Sequence, residues 1–192
     1  MNSNPYQAPQ SNQLTDVDAS DELMFYVVSK RKFLVLFVAT LGLYGVYWAY
    51  KNWQRYKAVS NEKVIPILRG FFQIFFTHSL FMKVQASLEK RGVDFAWSAK
   101  GHATWLVILL IISNLLDRLA MKSIGSPHTD FASFLIMIPL LLAYLKAQEA
   151  INRACGDAQG TSNDHFTGAN LAWIAFGLIL WGLSIYGVLN PT

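Results

Sequence analysis

The chain holds a single cysteine, few charges, and no pair of histidines or cysteines at metal-ligand spacing. One thiol cannot close an intrachain disulfide, which excludes a disulfide-stapled scaffold. Charged residues make up 15% of the 192 residues, well below the roughly 25% of ordinary soluble domains. No H-x-x-x-H, C-x-x-C or H-E-x-x-H spacing occurs, and neither does a nucleophile elbow or a phosphate-binding glycine loop. No catalytic site, metal or cofactor is therefore expected. Residues 1–20 lack a basic start and an apolar core, so they do not read as a secretory signal peptide.

What is abundant is apolar sequence: 53% of residues are hydrophobic, and the mean hydropathy is +0.29. Crossing about 30 Å of hydrocarbon takes about 20 helical residues. Leu171–Leu189 and Phe33–Tyr50 carry no charge at all. Ala103–Leu116 extends to Met121 through Asp117 and Arg118, and Phe131–Leu145 is closed by Lys146. The fold class read from this is all-α: an integral membrane helical bundle of about four hydrophobic segments, at about 33–50, 103–121, 131–147 and 168–189. An amphipathic interfacial or partly buried helix is predicted at about 64–88, with Pro66 in its first turn. It carries Arg69, Gln73 and His78 in an otherwise apolar stretch. Residues 1–24, polar and acidic through Asp16, Asp18, Asp21 and Glu22, are predicted to be a disordered tail ahead of a membrane domain over 25–192. Trp48 and Trp53, beside Lys51 and Arg55, read as interfacial anchors. Gly168, Ala172, Ala175 and Gly182 mark a small-residue face for close helix packing. Glu149 and Arg153 form an i,i+4 pair.

Nine of the sixteen Lys and Arg lie in 51–102, opposed only by Glu62, Glu89 and Asp94. Cationic flanks sit on the cytoplasmic side of membrane helices. If 33–50 spans once, eleven cations fall inside and five outside; if it dips in and returns, the balance is fourteen to two. The glycines of Thr40-Leu41-Gly42-Leu43-Tyr44-Gly45 supply a place to bend. Against the bend stands the high cost of unpaired backbone in hydrocarbon. Both arrangements remain open at this point, and both leave 51–102 inside.

The segment KFLVLFVATLGLYGVYWAYKNW contains T-x-G-x-Y-x-x-Y-W-x-Y-K, carried by Thr40, Gly42, Tyr44, Tyr47, Trp48, Tyr50 and Lys51. This resembles a pattern in uncharacterised bacterial multi-pass inner-membrane proteins, and RGFFQIFFTHSLFMKV is similar to their second part. The Asn4-Pro5-Tyr6-Gln7-Ala8-Pro9 tail is similar to tails of many such proteins. The resemblance covers about 30–90 and implies a bacterial cytoplasmic (inner) membrane location. It implies no activity, so no functional residue is carried over.

Two functional classes follow. In the first, the protein is a non-enzymatic accessory, scaffold or regulatory component. Its partner is the lipid bilayer, whose anionic headgroups contact Lys57, Lys63, Lys83, Lys90 and Arg91. In the second it is part of a small-solute or ion transporter or channel, acting as an oligomer, with His78, Asn114, Asp117 and Arg118 as polar pathway groups. A homo-oligomer or a membrane-protein partner suits either class. The sequence pI near 9.2 does not argue for nucleic acid, because the cations sit beside apolar runs.

Overall fold

The computed structural model describes residues 24–189. The polar tail assigned to 1–24 lies outside the described residues apart from Met24, which packs against the core. Every regular element among the described residues is helical: α1 (Lys30–Ala39), α2 (Tyr44–Val59), α3 (Pro66–Phe71), α4 (Gln73–Lys90), α5 (Ala99–Ala120), α6 (His128–Leu135), α7 (Met137–Ala154), a 3₁₀ turn (Thr161–Asn163) and α8 (Gly168–Leu189).

Three helical stretches are long and apolar enough to cross a membrane: Ala99–Ala120, His128–Ala154 and Gly168–Val188. The second is α6 and α7 run together, because Ile136 between them keeps helical angles. At 1.5 Å per residue the shortest is about 31 Å long. Only 22% of the apolar windows of the first two, and 6% of the third, is buried inside the protein. Flanks this apolar and this bare need a non-aqueous neighbour.

The segment assigned to 33–50 is not one helix. It breaks after Ala39, and α1 and α2 fold back on each other, so that Phe33 meets Trp48 with ring centroids 6.3 Å apart. Fifteen residues of straight helix would separate them by about 22 Å. The helix assigned to 64–88 breaks at Phe72, leaving Pro66 at the start of α3 as anticipated.

Two contacts set the height of the hairpin tip. Gly177, tenth residue of α8, lies against the backbone of Ala39 and Thr40. The Tyr144 ring, well inside α7, lies against Phe37 and Gly45. The tip therefore stands near mid-height of the long helices. The foot of α1 lies at their other end, where Lys30 reaches Glu149 and Ser29 donates to Asp164 just before α8. Gln73, at the top of α4, accepts from the Tyr144 hydroxyl at the same mid-level. The structure thus has a lower half of α1–α4 packed on the long helices and an upper half built from the long helices alone.

Aromatic packing fills the lower half. Phe33, Phe37, Tyr44, Trp48 and Tyr144 form one ring cluster. Trp48 and Trp53, assigned to the interface from their cationic neighbours, are instead core residues, each 1% exposed. The reversal at 40–43 turns Trp48 inward toward α1 and α7, while Trp53 packs against α3 and α4. The small-residue face assigned to α8 is not the close contact either, because a Cβ at Gly168 or Gly182 would meet open space. Close approach occurs at Gly177, where a Cβ would land on the Ala39 carbonyl, and at Gly70, where it would lie 2.8 Å from the Tyr50 Cα. The Glu149–Arg153 pair is present, and Lys146 rests over the Phe95 ring.

These contacts predict opposite effects for one substitution at two glycines of one helix. Gly182→Ala meets nothing and should stabilise by up to about 1 kcal/mol through helix propensity. Gly177→Ala must push α8 off Ala39 and should destabilise by about 1–3 kcal/mol. Thermal unfolding of both variants in one detergent checks the pair, and equal shifts would refute the contact.

Candidate functional site

Two non-helical pieces of backbone sit inside the site. The first is the extended segment 26–29. Unpaired peptide groups in a dry interior cost free energy comparable to a lost hydrogen bond. Here carboxamides take the place of a neighbouring strand. Asn52 Oδ1 accepts from the Tyr26 N–H (3.1 Å), and Gln148 Nε2 donates to the Tyr26 carbonyl (3.1 Å). Asn152 does both for Val28, accepting at 3.3 Å and donating at 3.0 Å. Asn163 Nδ2 donates to the Val27 carbonyl at 2.8 Å. The carboxamides are themselves completed: Trp48 Nε1 donates to Gln148 Oε1, Gln148 Nε2 to Asn152 Oδ1, and Asn52 Nδ2 to the Trp48 carbonyl. Asn52, Gln148 and Asn152 are each fully buried.

The second piece is the turn at 40–43. Thr40 Oγ1 donates to the Leu36 carbonyl (2.7 Å) and accepts from the Tyr44 N–H (3.0 Å), so one hydroxyl ends α1 and begins α2. Gly42 takes φ +83°, a conformation that L side chains rarely adopt. The N–H groups of Leu41, Gly42, Leu43 and Gly45 bond to the carbonyls of Val38, Phe37, Thr40 and Gly42. Each of these N–H groups is paired locally, which lowers the cost of a bend surrounded by apolar groups.

The foot of the hairpin is polar. The buried ammonium of Lys32 donates to Asn163 Oδ1 and to the His165 carbonyl, both at 2.7 Å. Asn163 is held by the preceding loop, in which Asp157 accepts from the backbone N–H groups of Thr161 and Ser162. Burial alone would raise the Asp157 carboxyl, but these bonds and those from the two hydroxyls overcome it and pull its pKa down to about 2.

The headgroup candidates divide. Lys57 and Lys63 are exposed at the foot of α2 and in the connector after it, and Lys90 is exposed at the end of α4. Arg91 is half-buried and packs against Gly156. Lys83 is committed inside the protein: its ammonium lies 2.5 Å from a Glu62 oxygen and 2.8 Å from the Tyr56 hydroxyl. Burial alone would lower the Lys83 pKa, but the bonds to Glu62 and Tyr56 override it and leave it raised. The Lys83 and Tyr56 hydrogen bonds lower that of Glu62 in turn. Arg69 lies over the Trp53 ring at 4.2 Å.

The four pathway candidates are not brought together. His78 bonds across helices to the Thr104 hydroxyl at 3.0 Å, near the start of α5. Asn114 lies ten residues further along α5, about 15 Å away, and donates back to the Leu110 carbonyl. Asp117 and Arg118 are exposed at the far end of the same helix. Among the described residues no group of three His, Cys, Asp or Glu is placed to hold a metal ion.

The sequence reading missed Asn52, Gln148, Asn152 and Asn163. The available signal was their spacing: Trp48/Asn52 and Gln148/Asn152 are i,i+4 pairs that place a polar group on otherwise apolar helix faces. Above the foot, α2, α3 and α8 line an open apolar cleft of about 420 Å³. Comparison with family models, curated proteins and solved structures finds no match.

Two tests address this geometry. Thr40→Val keeps the shape but strands the Tyr44 N–H, and should destabilise by about 1–3 kcal/mol, with Thr40→Ser near wild type. Denaturation of both variants in detergent reads the difference. A carboxyl whose folded pKa is depressed contributes stability above its ordinary range, about 3.9, and loses it as pH falls through the folded value. The Asp157 carboxyl carbon should therefore titrate near pH 2 by NMR; a midpoint near 4 would mean the loop bonds are not formed.

Proposed function

We propose that this chain is a multi-pass membrane protein without chemistry of its own, an accessory or scaffold component that wedges into one leaflet. Three long helices cross the bilayer, while α1 and α2 enter from the side of their foot and turn back at mid-depth. The observation that carries this reading is the reversal at 40–43, level with the middle of α8 and with cations at its foot. Helix α1 is ten residues, about 15 Å, or half the hydrocarbon thickness. With the hairpin returning, fourteen of the sixteen Lys and Arg fall on one side, leaving Arg118 and Lys122 opposite. That side is cytoplasmic by the charge bias of membrane helices. The bacterial cytoplasmic membrane is supported by the resemblance of residues 30–90. The exposed foot cations Lys57 and Lys63 are placed to meet anionic headgroups, each contributing roughly 1 kcal/mol near such a surface.

The sidedness is directly measurable. The protein's cysteine is buried, and a Cys155→Ala background makes introduced thiols the readout. In sealed vesicles an impermeant maleimide should label Lys30→Cys and Lys57→Cys from the same side, and Lys122→Cys from the other. Labelling of positions 30 and 57 from opposite sides would overturn the wedge.

A further inference from the structure

The cleft between α2, α3 and α8 opens sideways at the level of the wedge. Val46, Tyr47 and Tyr50 of α2 form one wall, Ile67 and Phe71 of α3 a second, and Trp173 of α8 a third. Its walls are almost entirely apolar, and Ile67 and Phe71 are among the most exposed apolar residues of the lower half. Below it the chemistry changes within one helical turn. Gln54 Nε2 donates to the Tyr50 hydroxyl at 2.9 Å, and Lys51 Nζ donates to Gln54 Oε1 at 2.7 Å. Arg55 follows one turn beyond Lys51, with Lys57 and Lys63 nearby in the chain.

These cations differ from four others at the foot. Lys30, Arg31, Lys83 and Arg153 each lie within ion-pair distance of a carboxylate. Among the described residues no carboxylate comes within 4.0 Å of Lys51, Arg55, Lys57 or Lys63, so Lys51, at the lower end of the cleft, keeps its positive charge unpaired. An apolar slot running along α2, with a cationic and hydrogen-bonding rim at its lower end, matches an acyl chain standing along the bilayer normal beneath an anionic headgroup.

We propose that the cleft holds one anionic phospholipid, its acyl chain between α2, α3 and α8 and its phosphate at Lys51, which Gln54 ties to Tyr50 of the cleft wall. The proposal rests on the wedge orientation given above and adds a defined lipid site to it. Electrostatics supply the headgroup preference, and the cleft supplies retention beyond that of lipid merely surrounding the protein.

Native mass spectrometry of the full chain tests it, with the protein released from detergent containing equal phosphatidylglycerol and phosphatidylcholine. One phosphatidylglycerol should be retained in preference to phosphatidylcholine. Lys51→Gln should reduce that preference by about fivefold, the equivalent of one surface cation. Val46→Trp fills the cleft and should abolish retention. Ile67→Trp fills it from the other wall and replaces Val46→Trp if that variant unfolds. Equal retention of the two lipids, or undiminished phosphatidylglycerol in a filled cleft, would overturn the site. Either result leaves the thiol-labelling pattern untouched, so failure of the lipid site is separable from failure of the wedge.

Discussion

Everything in the lower half depends on pairing peptide groups that helices do not pair for themselves. A chain that stops halfway and returns must expose non-helical backbone, and in a dry setting each unpaired group costs several kcal/mol. The structure meets that constraint with side chains of low count and high valence. Thr40 serves both ends of the turn with one hydroxyl. Asn52, Gln148, Asn152 and Asn163 serve the segment 26–29: Tyr26 and Val28 are bonded by carboxamides of α2 and α7, and the intervening Val27 by Asn163 of the loop before α8. Such a network must be complete to be favourable, since a half-satisfied buried network is worse than an apolar core. Gln148 meets the condition by bridging Trp48, Tyr26 and Asn152 at once.

With the backbone paired, packing can proceed by contact alone. Burying apolar surface gives little driving force between helices that already sit among apolar neighbours, so close approach through small residues and interhelical hydrogen bonds must supply it. Gly177 against Ala39, Gly45 against the Tyr144 ring and Gly70 against Tyr50 are three such approaches. The His78–Thr104 and Tyr144–Gln73 bonds join helices at the same heights. His78 and Gln73 thus look like polar intrusions in an apolar sequence but act as fasteners between helices.

The long apolar runs were legible in the sequence because length and absence of charge suffice to recognise them, and α5 and α8 lie close to where the runs place them. The bend was legible as an alternative, from Gly42 and from the count of cations on either side. What decides it is the Thr40 hydroxyl, whose two bonds depend on a turn geometry that spacing does not encode. Trp48 and Trp53 show how adjacency misleads. Lys51 and Arg55 each stand two positions from Trp53, and residues two apart on a helix face different ways. Asn52 was passed over for the opposite reason, since a lone carboxamide among aromatics carries no motif. Its partner, the Tyr26 backbone, is 26 residues away.

The distribution of charge at the foot separates assembly from recognition. Lys32 is bonded to Asn163 and the His165 carbonyl, and Lys83 to Glu62 and Tyr56, so both are held by partners within the protein. Desolvating a cation is tolerable only where partners are fixed in advance, and these two have them. Lys51, Arg55, Lys57 and Lys63 lie around the lower rim of the hairpin, where no carboxylate among the described residues reaches them. Placing both groups at the same depth has a mechanical consequence. The paired cations hold α1 and α4 to their neighbours, while in the proposed orientation the remaining ones would face anionic headgroups at the half of the protein that is already widest. On the proposed membrane orientation the broad end of the protein is also its charged end, which would couple the depth of the hairpin to the composition of the leaflet it enters.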